Sequence, residues 1–266
     1  MALVFPLIRR PLATRLNATF LLSRSPRYFS SHNCNLQRWV RHPQSEDPGS
    51  KKNPFFKFLD DIPKDALFIG ILATNAVVFG MWYMASQKLK YQRDPSSFKW
   101  MVDNFVSSWN NVKSGRVWTL VTSCFSHEGI GHILFNGFTF YFMAQPVLHM
   151  LGSRQFLILY LGSGIASNVV SMGYSHFIEG RDKGSMGASA AIYSVISYLA
   201  CVAPKMTFQL YGIIPIPAWL AVTGIFAYDA YSTVAKSRSQ VDTVGHVAGL
   251  LSGIGYFLFR KKRMFL

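Results

Sequence analysis

The amino-acid sequence predicts an all-α membrane protein with six transmembrane helices and a long first loop at the membrane interface. Half of the 266 residues are apolar and only 15% are charged, whereas about a quarter of the residues in a typical soluble protein are charged. The shortage of charge is concentrated in six runs that contain no Lys, Arg, Asp or Glu. These runs are residues 66–87, 129–153, 155–178, 184–204, 206–228 and 243–259.

Each charge-free run has a length suited to crossing a bilayer. The runs contain 17 to 25 residues, and a spanning helix needs about 20, so only the sixth run is marginal. Helices are the default because backbone polar groups in hydrocarbon must be hydrogen-bonded within the segment. A large soluble helical core would need charged outer faces, which these runs lack.

The first loop, residues 88–128, is much longer than the others. Its aromatic residues lie among polar ones, a mixture suited to the membrane interface. They include Phe98, Trp100, Phe105, Trp109 and Trp118.

Residues 1–50 are predicted to be a mitochondrial presequence and a flexible N-terminal region, followed by a six-span domain over residues 51–266. The first 45 residues contain seven Arg and no acid, the composition of an amphipathic organellar presequence. A secretory signal is disfavoured because Arg9, Arg10 and Arg15 interrupt its apolar core. A disordered basic tail and a chloroplast address are the alternatives. Residues 27–31 resemble a cleavage site for the matrix peptidase.

The charge pattern favours a lipid partner. The formal net charge is +15, but the basic residues flank the apolar runs, so we expect contact with the lipid bilayer and no nucleic-acid binding. Counting Lys and Arg on the two sides of the predicted spans gives ten on each side, which sets no orientation.

Three cysteines without a CxxC spacing support neither a disulfide framework nor a zinc cage.

Polar residues enter spans two, four and six from the same face of the membrane. His132 and Asn136 share one face of span two because they are four residues apart. Ser189 and His246 lie near the start of spans four and six. Alone, such a Ser often bonds its own backbone, and a His or Asn often ties two helices together. Their common depth favours one shared site, since ionisable residues inside spans are costly.

Ser189 and His246 have the surroundings that a nucleophile and its base require. Ser189 follows Gly187 and opens a helix whose free N–H groups suit a developing oxyanion. Span six carries three small residues at intervals of four, which allow another helix to pack closely. These residues are Gly245, Gly249 and Gly253. A histidine beside a serine hydroxyl makes it an effective nucleophile.

No metal and no cofactor are predicted. His127 and His132 look like the two ligands of a zinc-protease HExxH motif, but they are five residues apart rather than four. On a helix that spacing separates them by about 140°, so they do not share a face.

The three motifs resemble those of the rhomboid intramembrane serine proteases. They are His127-x4-His132-x3-Asn136, Gly187-Ala188-Ser189-Ala190 and Gly245-His246-x2-Gly249-x3-Gly253. They occur in the family's order and extend over about half of the chain. With the presequence, the sequence is similar to rhomboids of the mitochondrial inner membrane.

The resemblance implies a six-helix rhomboid-like bundle that works by a Ser–His dyad without a metal. Ser189 would be the nucleophile and His246 the general base, with an oxyanion hole formed by His132, Asn136 and the Ser189 N–H. The implied supporting residues are Tyr193, which would stack on His246, His127, which would hold the first loop, and Gly187, Gly249 and Gly253. Substrates would be membrane proteins whose transmembrane segments contain helix-weakening residues.

The resemblance also implies a multi-pass inner-membrane protein with its N-terminus in the matrix and its site open toward the intermembrane space. No additional N-terminal helix is found, so the basic six-span core is predicted. Asp229 and Asp242 lie near the site and are interpreted as surface charges, although a third triad member is conceivable.

Two alternatives remain beside the protease. One is a proteolytically inactive rhomboid-like protein that binds client proteins, although such relatives usually lack the serine or the histidine. The other is a small transporter, although the far halves of spans two and six are largely apolar.

Overall fold

The computed structural model describes residues 54–127, 129–210, 214–234 and 242–265. The predicted presequence, residues 1–50, lies outside the described residues. Helices make up most of the described chain, and one small antiparallel hairpin is added to them. The elements are α1 (Pro54–Asp61), α2 (Lys64–Gln92), α3 (Ser96–Phe105), α4 (Trp109–Lys113), α5 (Thr119–Thr122), a 3-10 turn (Ser123–Phe125), α6 (Ile130–Leu151), α7 (Ser153–Gly173) with a π-helical turn (Tyr174–Ile178), α8 (Ser189–Val202), β1 (Thr207–Leu210), β2 (Ile214–Pro217), α9 (Ala218–Val234) and α10 (Thr243–Phe265).

Each of the six charge-free runs overlaps one of the longer helices, in chain order from α2 to α10. Among the described residues, Lys64–Gln92 and Ser153–Ile178 are long and apolar enough to cross a membrane. Helix α8 is apolar but has only 14 residues. The mostly helical, apolar architecture is that of an α-helical membrane protein.

The fifth run differs from the prediction of one continuous span over residues 206–228. Its first part forms the β1–β2 hairpin, in which Thr207 pairs with Pro217, and helix α9 begins only at Ala218. The reason is local, because Pro215 and Pro217 lack a backbone N–H and disfavour helical geometry at the residues before them. The helix then continues past the predicted end, to Val234.

Helix α8 lies at the centre of the bundle. Ten of its 14 residues are buried, and it packs against α6, α7, α9 and α10. An amphipathic surface helix would bury only one stripe, so burial all round marks α8 as the core element. The position of Ser189 is therefore set by the whole bundle.

Glycines allow α10 to approach α8 closely. A Cβ atom at Gly249 would collide with the Ala190 carbonyl oxygen, and one at Gly253 would collide with the Ser194 carbonyl oxygen and the Ser197 hydroxyl. At this crossing the Ser197 Oγ donates to the Leu250 carbonyl oxygen at 2.9 Å. The two helices meet backbone to backbone, which side chains larger than hydrogen would prevent.

The first loop is a folded subdomain. Its α3 helix packs on α2 through a buried cluster formed by Val78, Trp82, Ala85, Met101 and Val106. The Trp82 indole N–H donates to the Ser126 hydroxyl at 2.5 Å, and the Asn111 amide donates to the Val102 and Val106 carbonyls. These bonds satisfy polar groups that the packing buries.

The same loop holds the segment that leads into α8. Ser107 and Ser185 exchange two backbone hydrogen bonds of 2.9 and 2.8 Å, and the Gly187 N–H donates to the Ser123 carbonyl at 2.9 Å. An extended segment is thereby pinned immediately before Ser189. The first loop thus contributes to positioning the start of α8.

Replacement of Gly253 by Ala is expected to destabilise the protein by about 1–3 kcal/mol, because the new methyl group overpacks the α8–α10 crossing. Thermal unfolding in detergent, followed by intrinsic fluorescence, measures the change in Tm. The matched control is Gly255→Ala on the same helix, where a Cβ meets nothing within 4 Å and alanine favours the helix. Equal Tm values for the two variants would contradict the close crossing.

Candidate active site

Ser189 and His246 are brought together by the starts of two helices. Ser189 is the first residue of α8 and His246 lies in the first turn of α10. The His246 Nε2 is 2.8 Å from the Ser189 Oγ. His246 is buried with 9% of its surface exposed, whereas Ser189 is half-buried. A hydroxyl hydrogen-bonded to an imidazole nitrogen has the geometry of an activated nucleophile.

Gly187 adopts a backbone conformation that other residues rarely reach. Its φ is +131°, and a Cβ atom there would lie 2.9 Å from His132 Cε1 and 3.0 Å from His132 Nε2. Glycine therefore serves two purposes, the turn into α8 and the close approach of the His132 ring. The structure thus brings His132 next to the segment that carries Ser189.

Asn136 lies one turn after His132 on α6 and is buried. Its side-chain amide donates to the His132 carbonyl oxygen at 3.0 Å, within its own helix. Asn136 shares the helix face of His132, as the spacing predicts. The described contacts of its amide are with α6 rather than with Ser189.

Tyr193 and His127 flank the pair. The Tyr193 ring lies 4.5 Å from the His246 ring, tilted by 46°, one turn after Ser189. His127 is almost fully buried, and its Nε2 accepts from the Ala188 N–H at 3.5 Å. The His127 ring also meets the His132 ring edge-on, with centroids 4.9 Å apart. The start of α8 is therefore bordered by two pairs of contacting rings, and the backbone just before it is hydrogen-bonded to His127.

Burial lowers the pKa of His127 from 6.5 to about 4, and the nearby His132 adds to the shift. The lone pair that accepts from Ala188 is available only in the neutral imidazole. At neutral pH His127 is therefore uncharged and can hold the backbone before Ser189.

The interpretation of Asp229 as a surface charge is wrong. Only 1% of Asp229 is exposed, and its Oδ2 lies 3.1 Å from the His246 Nδ1. The charge-free run ends at Tyr228, but α9 continues to Val234, so Asp229 lies within a helix. The sequence signal was that residues 230–235 again contain no charge, which makes Asp229 an isolated acid in a longer run.

Asp242 is also tied into the structure rather than free at the surface. It is half-buried, and its Oδ1 accepts from the Ser171 hydroxyl at 2.6 Å and from the Gly245 N–H at 2.8 Å. The Ser185 hydroxyl donates to its other oxygen. Asp242 therefore joins α7, the segment before α8 and the first turn of α10. A carboxylate at a helix N-terminus is also favoured by the helix dipole.

The zinc-like motif of the first loop is only partly described, because Glu128 lies outside the described residues. Within the described part of the chain, no group of three or more His, Cys, Asp or Glu side chains is arranged to hold a metal ion.

A Rhomboid domain family model matches residues 114–263, a range that contains all the residues of the candidate site. The match covers more than half of the chain. The protein belongs to the rhomboid family.

This rhomboid is similar to curated mitochondrial relatives from several kingdoms. It is 27% identical over 229 residues to "RHOMBOID-like protein 12, mitochondrial" of Arabidopsis thaliana, which covers 81% of this chain and 65% of that protein. It is 29% identical over 245 residues to the "Presenilin-associated rhomboid-like protein, mitochondrial" of Rattus norvegicus, covering 90% and 60%. For "Rhomboid protein 1, mitochondrial" of Saccharomyces cerevisiae the identity is 26% over 206 residues, covering 76% and 55%.

The aligned part amounts to less than two thirds of the length of each of these relatives. The likeness supports a mitochondrial membrane protein of the rhomboid type.

Acidic pH is expected to destabilise this rhomboid through His127. Between pH 6.5 and pH 4 the unfolded state binds more protons at His127 than the folded state, so the free energy of unfolding falls as pH falls, by up to about 3 kcal/mol. Thermal unfolding from pH 7.5 to pH 4.5 should show a steeper loss of Tm for wild type than for His127→Gln. The control His149→Gln should follow wild type. Parallel curves for wild type and His127→Gln would refute the assignment.

Proposed function

We propose that this rhomboid is an intramembrane serine endopeptidase that cleaves transmembrane segments of membrane proteins. The observation that carries the proposal is the 2.8 Å contact between Ser189 Oγ and His246 Nε2. Rhomboid family membership supports the same reaction class.

In the proposed reaction, Ser189 attacks a peptide carbonyl of the substrate while His246 takes the hydroxyl proton at Nε2. The imidazolium then returns that proton to the leaving amine, and water hydrolyses the acyl-enzyme by the same base catalysis. Each step uses one nitrogen of His246 and one oxygen of Ser189. No metal or cofactor takes part in the proposed reaction.

The tetrahedral intermediate carries a negative oxygen, which needs hydrogen-bond donors. The proposed donors are the Ser189 N–H at the start of α8 and the side chains of His132 and Asn136. The N–H groups in a first helical turn have no partner within the helix, and each well-placed donor in such a hole contributes about 10²- to 10³-fold in kcat. The Asn136 amide has two N–H donors. One of them bonds the His132 carbonyl oxygen, and the other is the proposed donor to the substrate oxygen.

Peptide hydrolysis requires water and an accessible bond. The half-buried Ser189 and the exposed His132 support access to the site from the end of the bundle where α8 begins. A helical substrate hides its carbonyl groups in hydrogen bonds, so the proposed substrates contain residues that weaken their transmembrane helix.

The membrane arrangement belongs to the same proposal. We propose six spans formed by α2, α6, α7, α8, α9 and α10, in the mitochondrial inner membrane. The N-terminus would lie in the matrix and the site would open toward the intermembrane space. The overlap of the six helices with the six charge-free runs supports the number of spans.

In proteoliposomes, wild type is expected to cleave a generic rhomboid model substrate. Ser189→Ala and His246→Ala should each lower kcat by at least about 10³-fold, because nucleophile and base act as one unit. Product formation on gels is the measurement. Ser194→Ala is the matched control, since the Ser194 hydroxyl donates to the Ala191 carbonyl within α8, and this variant should keep most of the activity.

Full cleavage by Ser189→Ala would refute the assignment of Ser189 as the nucleophile. If wild type labels with a fluorophosphonate but fails to cleave, the site is reactive and the substrate is wrong; if it does neither, the proposal fails.

An epitope tag inserted between α2 and α3, next to Pro95, is expected to face the intermembrane space. Added protease should spare the tag in intact mitochondria and remove it once the outer membrane is ruptured. A matrix protein should remain protected throughout as the control. A tag that stays shielded after rupture would contradict the proposed orientation.

A further inference from the structure

Asp229 contacts the side of the His246 ring that faces away from Ser189. Its Oδ2 is 3.1 Å from Nδ1, while the opposite nitrogen, Nε2, is 2.8 Å from the Ser189 Oγ. The three side chains come from three helices, α8, α9 and α10. They form a continuous line from carboxylate to imidazole to hydroxyl.

The burial of this carboxylate is itself informative. The side chain of Asp229 is 2% exposed and that of His246 is 11% exposed. A buried carboxylate is costly unless it is hydrogen-bonded or paired with a positive charge. An acid that served only as a surface charge would gain nothing from this position. The pairing with His246 supplies a hydrogen bond in the resting enzyme and a counter-charge when the ring is protonated.

We infer that Asp229 is a positioning residue for His246, so that the proposed Ser–His pair works as a Ser–His–Asp arrangement. The inference rests on the proposed function. Asp229 accepts a hydrogen bond from the Nδ1–H of neutral His246, which keeps the lone pair on Nε2, directed at the Ser189 hydroxyl. When the Ser189 proton moves to Nε2, the ring becomes an imidazolium, and the Asp229 carboxylate stays ionised and stabilises it.

The other polar groups near His246 present a ring or bond to different partners. Tyr193 of α8 presents its ring. The His132 ring of α6 lies against Gly187, two residues before Ser189. Asp242, at the start of α10, is bonded to Ser171, Ser185 and the Gly245 N–H. Of the acids near the site, Asp229 is the one that bonds to the His246 ring.

The test compares Asp229→Asn with Asp229→Glu in proteoliposomes. Asparagine has the size of aspartate but lacks the charge, and its amide can donate to Nδ1 and favour the wrong tautomer. Glutamate keeps the carboxylate but is one methylene longer. If Asp229 positions His246, kcat should fall by at least about 100-fold in Asp229→Asn with KM nearly unchanged. Asp229→Glu should recover at least about tenfold of that loss.

A purely structural role predicts the reverse order, because the isosteric Asn would fit the packing and the larger Glu would overpack it. Wild-type kcat in Asp229→Asn, or lower kcat in Asp229→Glu than in Asp229→Asn, would overturn the inference. Tm values for each variant correct the rates for any loss of folded protein. Asp103→Asn is the control for removing an acid away from the site, since Asp103 pairs with Lys99 and Arg116 in the first loop.

The proteoliposome assay also separates the Asp229 inference from the proposed protease function. Cleavage by wild type that is lost in Ser189→Ala, together with full activity of Asp229→Asn, would leave the protease intact and remove only the Asp229 assignment. The rate of fluorophosphonate labelling at Ser189 is a second readout and should fall in Asp229→Asn in parallel with kcat. Wild type that neither cleaves nor labels would overturn both proposals.

Discussion

The close contact between α8 and α10 determines the geometry of the candidate site. Ser189 and His246 lie on different helices, 57 residues apart in the chain, and each is near the start of its helix. Their 2.8 Å contact exists because the helix backbones meet at Gly249 and Gly253, where no side chain intervenes. Helices in lipid gain little from the hydrophobic effect and associate mainly through such packing and through interhelical hydrogen bonds.

The remaining elements hold the two helix starts in place. The first loop pins residues 185–187 by backbone hydrogen bonds, and His127 contacts the Ala188 N–H from the loop side. Asp242 links the same segment to α7 and to α10. The helix starts that carry Ser189 and His246 are therefore held in place by groups of the first loop and by Asp242, which are distant from one another in sequence. Such support is what keeps reacting groups within a few tenths of an ångström of a productive arrangement.

Much of the fold could be predicted from the charge-free runs, because lipid forbids both unpaired backbone groups and most charges. Ser189, His246 and His132 could be found from their common depth, and the structure brings these side chains together. The hairpin before α9 does not follow from the fifth charge-free run, because the absence of charge says nothing about proline geometry. Its signal in the sequence is the pair Pro215 and Pro217. The surface position predicted for Asp229 is wrong because a single charge does not have to end a helix. A buried partner on another helix can compensate for such a charge, and that compensation depends on tertiary packing.

In the proposed membrane arrangement, the hairpin also affects how the protein fits its bilayer. Since α9 starts at Ala218, it has 17 residues and rises about 26 Å, several ångströms less than the roughly 30 Å of hydrocarbon. In the proposed six-span arrangement, lipids beside α9 therefore shorten or disorder their chains to avoid a hydrophobic mismatch. A foreign transmembrane helix that diffuses toward α9 would move from bulk bilayer into a thinner ring of lipid. Its apolar stretch would be longer than the hydrocarbon is thick there. In the proposed protease, this mismatch would bring part of such a helix toward water before it reaches the site.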